Sequence, residues 1–244
     1  MKRAQQSGIG LFSTPAGIRA VESPVRVRIL SVLATKEIPF DEIVRLSRRA
    51  KSTVSVHLKG LEEDGIIASR PDPKDSRKKI FFIRSPSVGN LSEKLVFPDD
   101  SLNTPGADPF AFYRYMFRTI RVSLLTEGIN IDPVLNEAGY RVGLAFLPSL
   151  SDNDFRKVLK KTQAFWKKNN LGTLEIESVS PLCVRAYDCF ECGSLPKLGR
   201  PACAFDSGLL RAIFSQHFGT DQQVDETACY AAGDDHCRFV IAPR

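Results

Sequence analysis

Between residues 23 and 65 the chain reads SPVRVRILSVLA and then, after a short gap, DEIVRLSRRA and KSTVSVHLKGLEEDG. Pro24 stands where a first helical turn tolerates a missing N–H, and Val25, Ile29, Leu30 and Leu33 follow as one apolar stripe. A second short helix is expected over 41–48 through Ile43, Val44 and Leu46, and a third over 51–64. In the third, Val54, Leu58 and Leu61 share a face, which turns Ser52, Thr53, Ser55, Val56 and Lys59 elsewhere by the 3.6-residue period. Gly65 ends that helix, because glycine takes the left-handed conformation without steric cost. Two short helices and a tight turn before a basic, hydroxyl-rich helix predict a helix-turn-helix, a shape that the major groove of duplex DNA accepts.

Residues 66–83, IIASRPDPKDSRKKIFFI, read as two strands around a turn rich in Pro and Asp, which makes the element a winged helix. Charge supports the same partner. Residues 1–90 hold 17 Lys and Arg against 9 Asp and Glu, whereas residues 91–244 hold 17 against 19. A basic excess confined to the winged helix suits a phosphate binder. Groove contact is expected from Ser52, Thr53, Ser55, Val56 and Lys59, and phosphate contact from Arg48, Arg49, Lys51, Lys74, Arg77, Lys78 and Lys79. Val56 and His57 could equally pack against the neighbouring helix, and isolated wing lysines are often merely solvated. Two-fold dimers reading half-sites one turn apart are the usual way such modules bind, so a homodimer on double-stranded DNA is expected.

The expected domains are 1–84 (winged helix-turn-helix), 85–107 (linker) and 108–244. The linker is read from Pro86, Gly89, Pro98, Pro105 and Gly106, which break any periodicity. Beyond it lie amphipathic stretches at 108–127, 132–147 and 152–169, strands at 173–179 and 182–189, a helix near 206–218, and strands near 221–228 and 236–242. Helices first and a mainly antiparallel sheet later predict an α+β fold.

The opening MKRAQQSGIG is polar, and no apolar run approaches the roughly 18 residues of a membrane span, so a cytoplasmic protein with no membrane partner is expected. All six cysteines lie after residue 180, and in a reducing compartment they argue for metal or redox work over a permanent disulfide framework. Cys229 and Cys237 flank a turn containing Gly233, and Glu226 lies three positions before Cys229. With Cys203 these offer three thiolates and a carboxylate, a four-ligand set of the kind that closes a structural zinc site. Unrelated buried cysteines and a reversible disulfide are the competing readings. Cys189 and Cys192 form a C-x2-C pair suited to a second metal half-site or to dithiol chemistry. Cys183 falls on a likely strand, as inert core or as a resolving thiol. All six (Cys183, Cys189, Cys192, Cys203, Cys229, Cys237) are redox candidates, and thiolates near Arg185 or a metal would react soonest with oxidants. His236, beside Cys237, could replace Glu226 as a ligand.

The run ending STVSVHLKGLEEDGII resembles ArsR-type winged-helix regulators over about 65 residues, through the pattern SxVSxHLxxLxxxG. The cysteine pair that metal-sensing ArsR members carry near the helix before the reader is missing here, which places sensing elsewhere. The segment CVRAYDCFECGSLPKLGRPACAFDSGLLRAIF…VDETACYAAGDDHCRFVIA resembles the 4-vinyl-reductase-type sensor domain, whose hallmark is Glu-x2-Cys-x7-Cys preceded by a cysteine in front of a helix. Those positions are Glu226, Cys229, Cys237 and Cys203, and the resemblance implies zinc on them, as in relatives that sense phenolic compounds. The two domains in one chain resemble the MsvR family, redox-responsive transcription regulators of methanogenic archaea. That resemblance implies a dimer that binds promoter DNA, often its own, when its cysteines are reduced and releases it when they are oxidised.

The alternative is a regulator with a purely structural zinc and a small aromatic or apolar ligand, lined by Phe110, Phe112, Tyr113, Phe117, Tyr140, Phe146, Phe165 and Trp166. An enzyme is not expected: the three histidines (His57, His217, His236) accompany neither a GxGxxG fingerprint nor a GxSxG elbow.

Overall fold

The computed structural model describes residues 9–34, 36–73, 75–91, 94–97 and 109–244. The fold is mixed α and β with antiparallel sheets, and it divides into two units, Met1–Glu93 and Lys94–Arg244.

The first unit opens with a hairpin, β1 (Ile9–Thr14) and β2 (Gly17–Val21). Helix α1 (Pro24–Leu33), strand β3 (Ile38–Pro39), helix α2 (Phe40–Ser47) and helix α3 (Lys51–Glu63) follow, then the wing strands β4 (Ile67–Asp72) and β5 (Asp75–Ile83). The wing sheet runs β3-β5-β4, all antiparallel, with Ile67 opposite Ile83 and Ser69 opposite Phe81. The expected apolar stripes form the core: Ile29, Leu30 and Leu33 of α1, Ile43 of α2, and Val54, Leu58 and Leu61 of α3 are buried together with Ile66, Ile67 and Phe81. Arg48 ends α2 in the left-handed conformation, and Gly65 takes a φ of +72° just after α3, as the sequence predicts.

Ser87–Leu91, inside the 85–107 stretch read as linker, is instead a strand, β6, paired antiparallel with β1 through Ile9 opposite Leu91 and Leu11 opposite Gly89. Its partner lies some eighty residues away in sequence, so local periodicity carries no trace of the pairing.

The second unit contains α4 (Ala111–Thr126), the two-residue strand β7 (Ile129–Asn130), α5 (Asp132–Leu150), α6 (Phe155–Lys168), β8 (Thr173–Val179), β9 (Leu182–Tyr187), α7 (Ala204–Phe218), β10 (Gln222–Ala228) and β11 (Cys237–Pro243). Its sheet is antiparallel in the order β10-β11-β9-β8. Trp166, Val184, Leu209, Leu210, Phe214 and Phe239 are fully buried at the centre of this unit. Helices α5 and α7 meet backbone to backbone. A Cβ on Gly139 would collide with the carbonyl of Phe205, and one on Gly208 with the carbonyl of Asn136, so glycine is required at both crossings. Asn136 then donates from its side chain to the carbonyl of Ala204 at 3.1 Å, which anchors the first turn of α7. Among the described residues no helix is long and apolar enough to cross a membrane.

Candidate functional site

On the first unit, α3 buries Val54, Leu58 and Leu61 and turns Ser52, Ser55, Val56 and Lys59 to solvent; Thr53 and His57 are half-buried. Val56 is 70% exposed, an apolar side chain that the core does not take up. Arg48, Arg49 and Lys51 are exposed around the turn between α2 and α3, with Lys51 3.2 Å from Asp41. Arg77, Lys78 and Lys79 are exposed on β5; Arg77 and Lys78 lie 3.2 and 3.9 Å from the Asp75 carboxylate, whose pKa their hydrogen bonding and charge depress. Lys74 lies outside the described residues. Eleven of the twelve residues expected at DNA can thus be placed, and all sit on α3, the turn before it, or the wing.

On the second unit, five of the six cysteines converge. The loop after β9 supplies Cys189 and Cys192, the residue before α7 is Cys203, and the β10–β11 connection carries Cys229 and Cys237. All five are buried. The sulfurs of Cys192 and Cys237 lie 3.2 Å apart, Cys203 lies 3.5 Å from both Cys189 and Cys237, and Cys203 and Cys229 are 3.9 Å apart. Disulfide bonding requires about 2.05 Å, whereas sulfurs on neighbouring corners of a zinc tetrahedron with bonds of about 2.3 Å stand about 3.8 Å apart. The thiols are therefore unlinked and near metal-site spacing.

Local backbone chemistry explains the convergence. The N–H of Gly193 donates to the carbonyl of Cys189 at 2.9 Å, and a Cβ there would come within 2.6 Å of that oxygen, so the C-x2-C turn needs glycine directly after Cys192. Leu198 donates to Ala231 and the Lys197 ammonium to the carbonyl of Tyr230, which tie this loop to the 3-10 turn Tyr230–Ala232. Asp234 accepts from the N–H of Cys229 at 2.8 Å and closes that turn. Beneath α7, the buried Glu191 carboxylate accepts from the N–H groups of Phe205 and Asp206, both at 3.1 Å, and from Arg121 at 3.2 Å. Arg121 is itself buried, donates to the carbonyl of Ala202 at 2.7 Å, and lies 3.2 Å from Asp132.

The site is crowded with acceptors. One Glu226 oxygen accepts from the N–H of Cys203 at 2.8 Å, while the other is buried with no hydrogen-bond partner among the described residues. Burial and the neighbouring Cys229 push the Glu226 carboxyl up to about 9, and burial raises Glu191 to about 8 against the pull of Arg121. Burial also drives Asp206 well above the carboxylate range, with the Cys189 charge adding to it. Hydrogen bonds from neighbouring thiols pull Cys189 and Cys229 down, whereas burial pushes Cys203 up. Soft donors, an orphaned carboxylate oxygen and mutually repelling anions all fit a bound cation. The expected quartet of Cys203, Glu226, Cys229 and Cys237 can bring one ligand atom each within 4.8 Å of the others, and so can Cys189, Cys192, Cys203 and Cys237.

Sequence reasoning missed the supporting shell of Arg121, Asp132, Glu191, Asp206 and Asp234. Only Glu191 left a signal, as the one carboxylate between the two cysteines of the C-x2-C pair. Cys183 does not join the cluster: on β9 it faces away from the side shared by Val184 and Ala186, and Arg238 donates to its sulfur at 3.4 Å. His236 pairs with Asp235 at 2.6 Å and belongs to neither quartet. The eight aromatics expected around a ligand do not gather: Phe110, Phe112, Tyr113 and Phe146 are exposed and Trp166 is sealed in the core. A cavity of about 550 Å³ lies elsewhere, lined in part by Leu147, Asp152, Gln216 and His217.

Residues 23–69 match the bacterial regulatory protein family arsR, and residues 182–243 match the vinyl-4-reductase-type domain. The uncharacterized protein MJ1642 of Methanocaldococcus jannaschii is 33% identical over 126 residues, which cover 52% of this chain and 74% of that one. The chain belongs to the family of MJ1642. MJ0745 of the same organism is 34% identical over 128 residues, covering 52% of this chain and 66% of its own. A crystal structure of a vinyl-4-reductase family protein from that organism is 18% identical and covers 57% of this chain and 83% of the other, with a TM-score of 0.38. The chain thus joins an ArsR-type helix-turn-helix to a C-terminal vinyl-4-reductase-type domain, the pairing expected of an MsvR-like regulator, and the ArsR-family match points to transcription regulation rather than catalysis.

Proposed function

We propose that this ArsR-type regulator grips promoter DNA when the thiols of its vinyl-4-reductase-type domain are reduced and releases it when they are oxidised. The observation that carries the reading is the gathering of five buried thiols with sulfurs 3.2–3.9 Å apart. The α3 hydroxyls, Val56 and Lys59 face base edges, with Val56 suited to a thymine methyl, while Arg48, Arg49, Lys51, Lys74, Arg77, Lys78 and Lys79 hold phosphates. Zinc on Cys203, Glu226, Cys229 and Cys237 would cross-link the start of α7 to the β10–β11 turn.

Peroxide takes a thiolate to a sulfenic acid with loss of one oxygen as hydroxide; a second thiol displaces the other as water, so two thiols and one peroxide give a disulfide and two waters. Cys192 and Cys237, 3.2 Å apart, are the best-placed pair, and closing them to about 2.05 Å draws the β9–α7 loop toward β11. In a homodimer, such repacking changes the separation of two recognition helices. Phosphate contacts demand fixed register, so one half-site loses its contacts.

The test is a gel shift of the full chain on DNA upstream of its own gene, run with dithiothreitol, after peroxide, and after re-reduction. Binding should weaken at least tenfold with peroxide and return with dithiothreitol, and C183S should behave as the parent protein. Equal affinity in all three states removes the redox switch.

A further inference from the structure

Two groups of four donors occupy the cluster, and they share two members. Cys189, Cys192, Cys203 and Cys237 form one, and Cys203, Glu226, Cys229 and Cys237 the other. A single tetrahedral ion uses four of these six donors and leaves two buried ones idle. Two tetrahedra joined along an edge use six, and the shared edge must then be two atoms that can each bridge two ions. Thiolates bridge well, and the common members are both cysteines. We propose that the C-terminal domain holds two divalent ions of the zinc type, bridged by Cys203 and Cys237, with Cys189 and Cys192 completing one tetrahedron and Glu226 and Cys229 the other.

The distances agree. Cys203 and Cys237 stand 3.5 Å apart, near the edge of about 3.8 Å that bonds of about 2.3 Å set at the tetrahedral angle. Cys203 lies centrally, 3.5 Å from Cys189 on one side and 3.9 Å from Cys229 on the other, while Cys237 reaches Cys192 at 3.2 Å. The C-x2-C turn is built rather than incidental, since Gly193 and its hydrogen bond to the carbonyl of Cys189 hold both sulfurs toward the shared pair. Charge agrees as well. Five thiolates and one carboxylate carry six negative charges; two divalent ions reduce the buried excess to two, the same as for one zinc on four thiolates. The orphaned oxygen of Glu226 gains a partner.

The proposal rests on the reading that Cys203, Glu226, Cys229 and Cys237 take a metal, and one experiment separates the two. Full-length protein prepared reduced with zinc is analysed for metal per chain by elemental analysis and native mass spectrometry, then exchanged with cadmium-113 for NMR. Two ions per chain are expected, and two cadmium resonances split by coupling through the bridging sulfurs. C192S should lose one ion and C203S both, while C183S should keep two. One ion per chain with a single cadmium resonance, unaffected by C192S and lost in C229S, overturns the pair and leaves the single site standing. No bound metal overturns both. The count on the parent protein decides the matter even if a variant fails to fold.

Discussion

Arg121 is the residue on which the cluster's surroundings depend. Its guanidinium is 3% exposed and spans the Glu191 carboxylate, the carbonyl of Ala202 just before Cys203, and Asp132, which a second arginine, Arg200, also grips at 2.6 Å. Removing one partner of a buried ion pair leaves the other charge uncompensated, a loss of about 3–5 kcal/mol. Arg121→Met, which keeps much of the apolar stem, should therefore lower stability by about that amount in urea denaturation of the reduced protein. A loss under about 1 kcal/mol would mean that solvent reaches Glu191. Nothing in the chain near residue 121 signals this role, because its partners lie 11, 70 and 81 residues away. A lone arginine on an amphipathic helix reads as a solvated charge until its neighbours are known.

At the scale of elements, the pairing of α5 with α7 sets where Cys203 stands. Both helices put glycine at the contact, Gly139 on one and Gly208 on the other, so their backbones approach more closely than side chains would permit. Glycine inside a helix costs about 1 kcal/mol against alanine, and ordinary propensity would reward the replacement. Here the sign reverses. Gly208→Ala drives a methyl into the carbonyl of Asn136, and overpacking of this kind costs about 1–3 kcal/mol. Thermal unfolding should fall by several degrees, and thiol titration under native conditions should become faster as the first turn of α7 loosens. An unchanged melting temperature would show that the helices can part freely. The helices and strands of this unit lie within a few residues of where periodicity and turn residues place them, because their apolar faces repeat locally. The β1, β2 and β6 strands were not legible. They are short, rich in Gly and Ser, and gain their order by pairing across the length of the first unit, as Ile9 does with Leu91.

For the whole molecule, the uneven charge decides how DNA should be held. The basic excess belongs to the winged-helix unit, and each phosphate neutralised by Lys or Arg adds about 0.9 to the slope of log affinity against log salt. Replacing Arg77 and Lys78 together by alanine should weaken binding on every sequence alike and reduce the slope by about 2 per chain, measured by fluorescence anisotropy between about 50 and 200 mM salt. An unchanged slope would show that the Asp75 carboxylate, 3.2 Å from Arg77, keeps the wing off the backbone. By itself the sequence determined the winged helix, the α+β class of the second unit and the soft character of its ligands, since these follow from local period and residue chemistry. Only the tertiary structure decided which sulfurs meet. Cys183 and Cys189 are six positions apart, yet one lies on the far face of a strand beside Arg238 and the other turns inward at the end of a glycine-dependent loop, where four more thiols arrive to meet it. Ligand identity is a property of residues, whereas ligand number is a property of the distances that long-range pairing imposes.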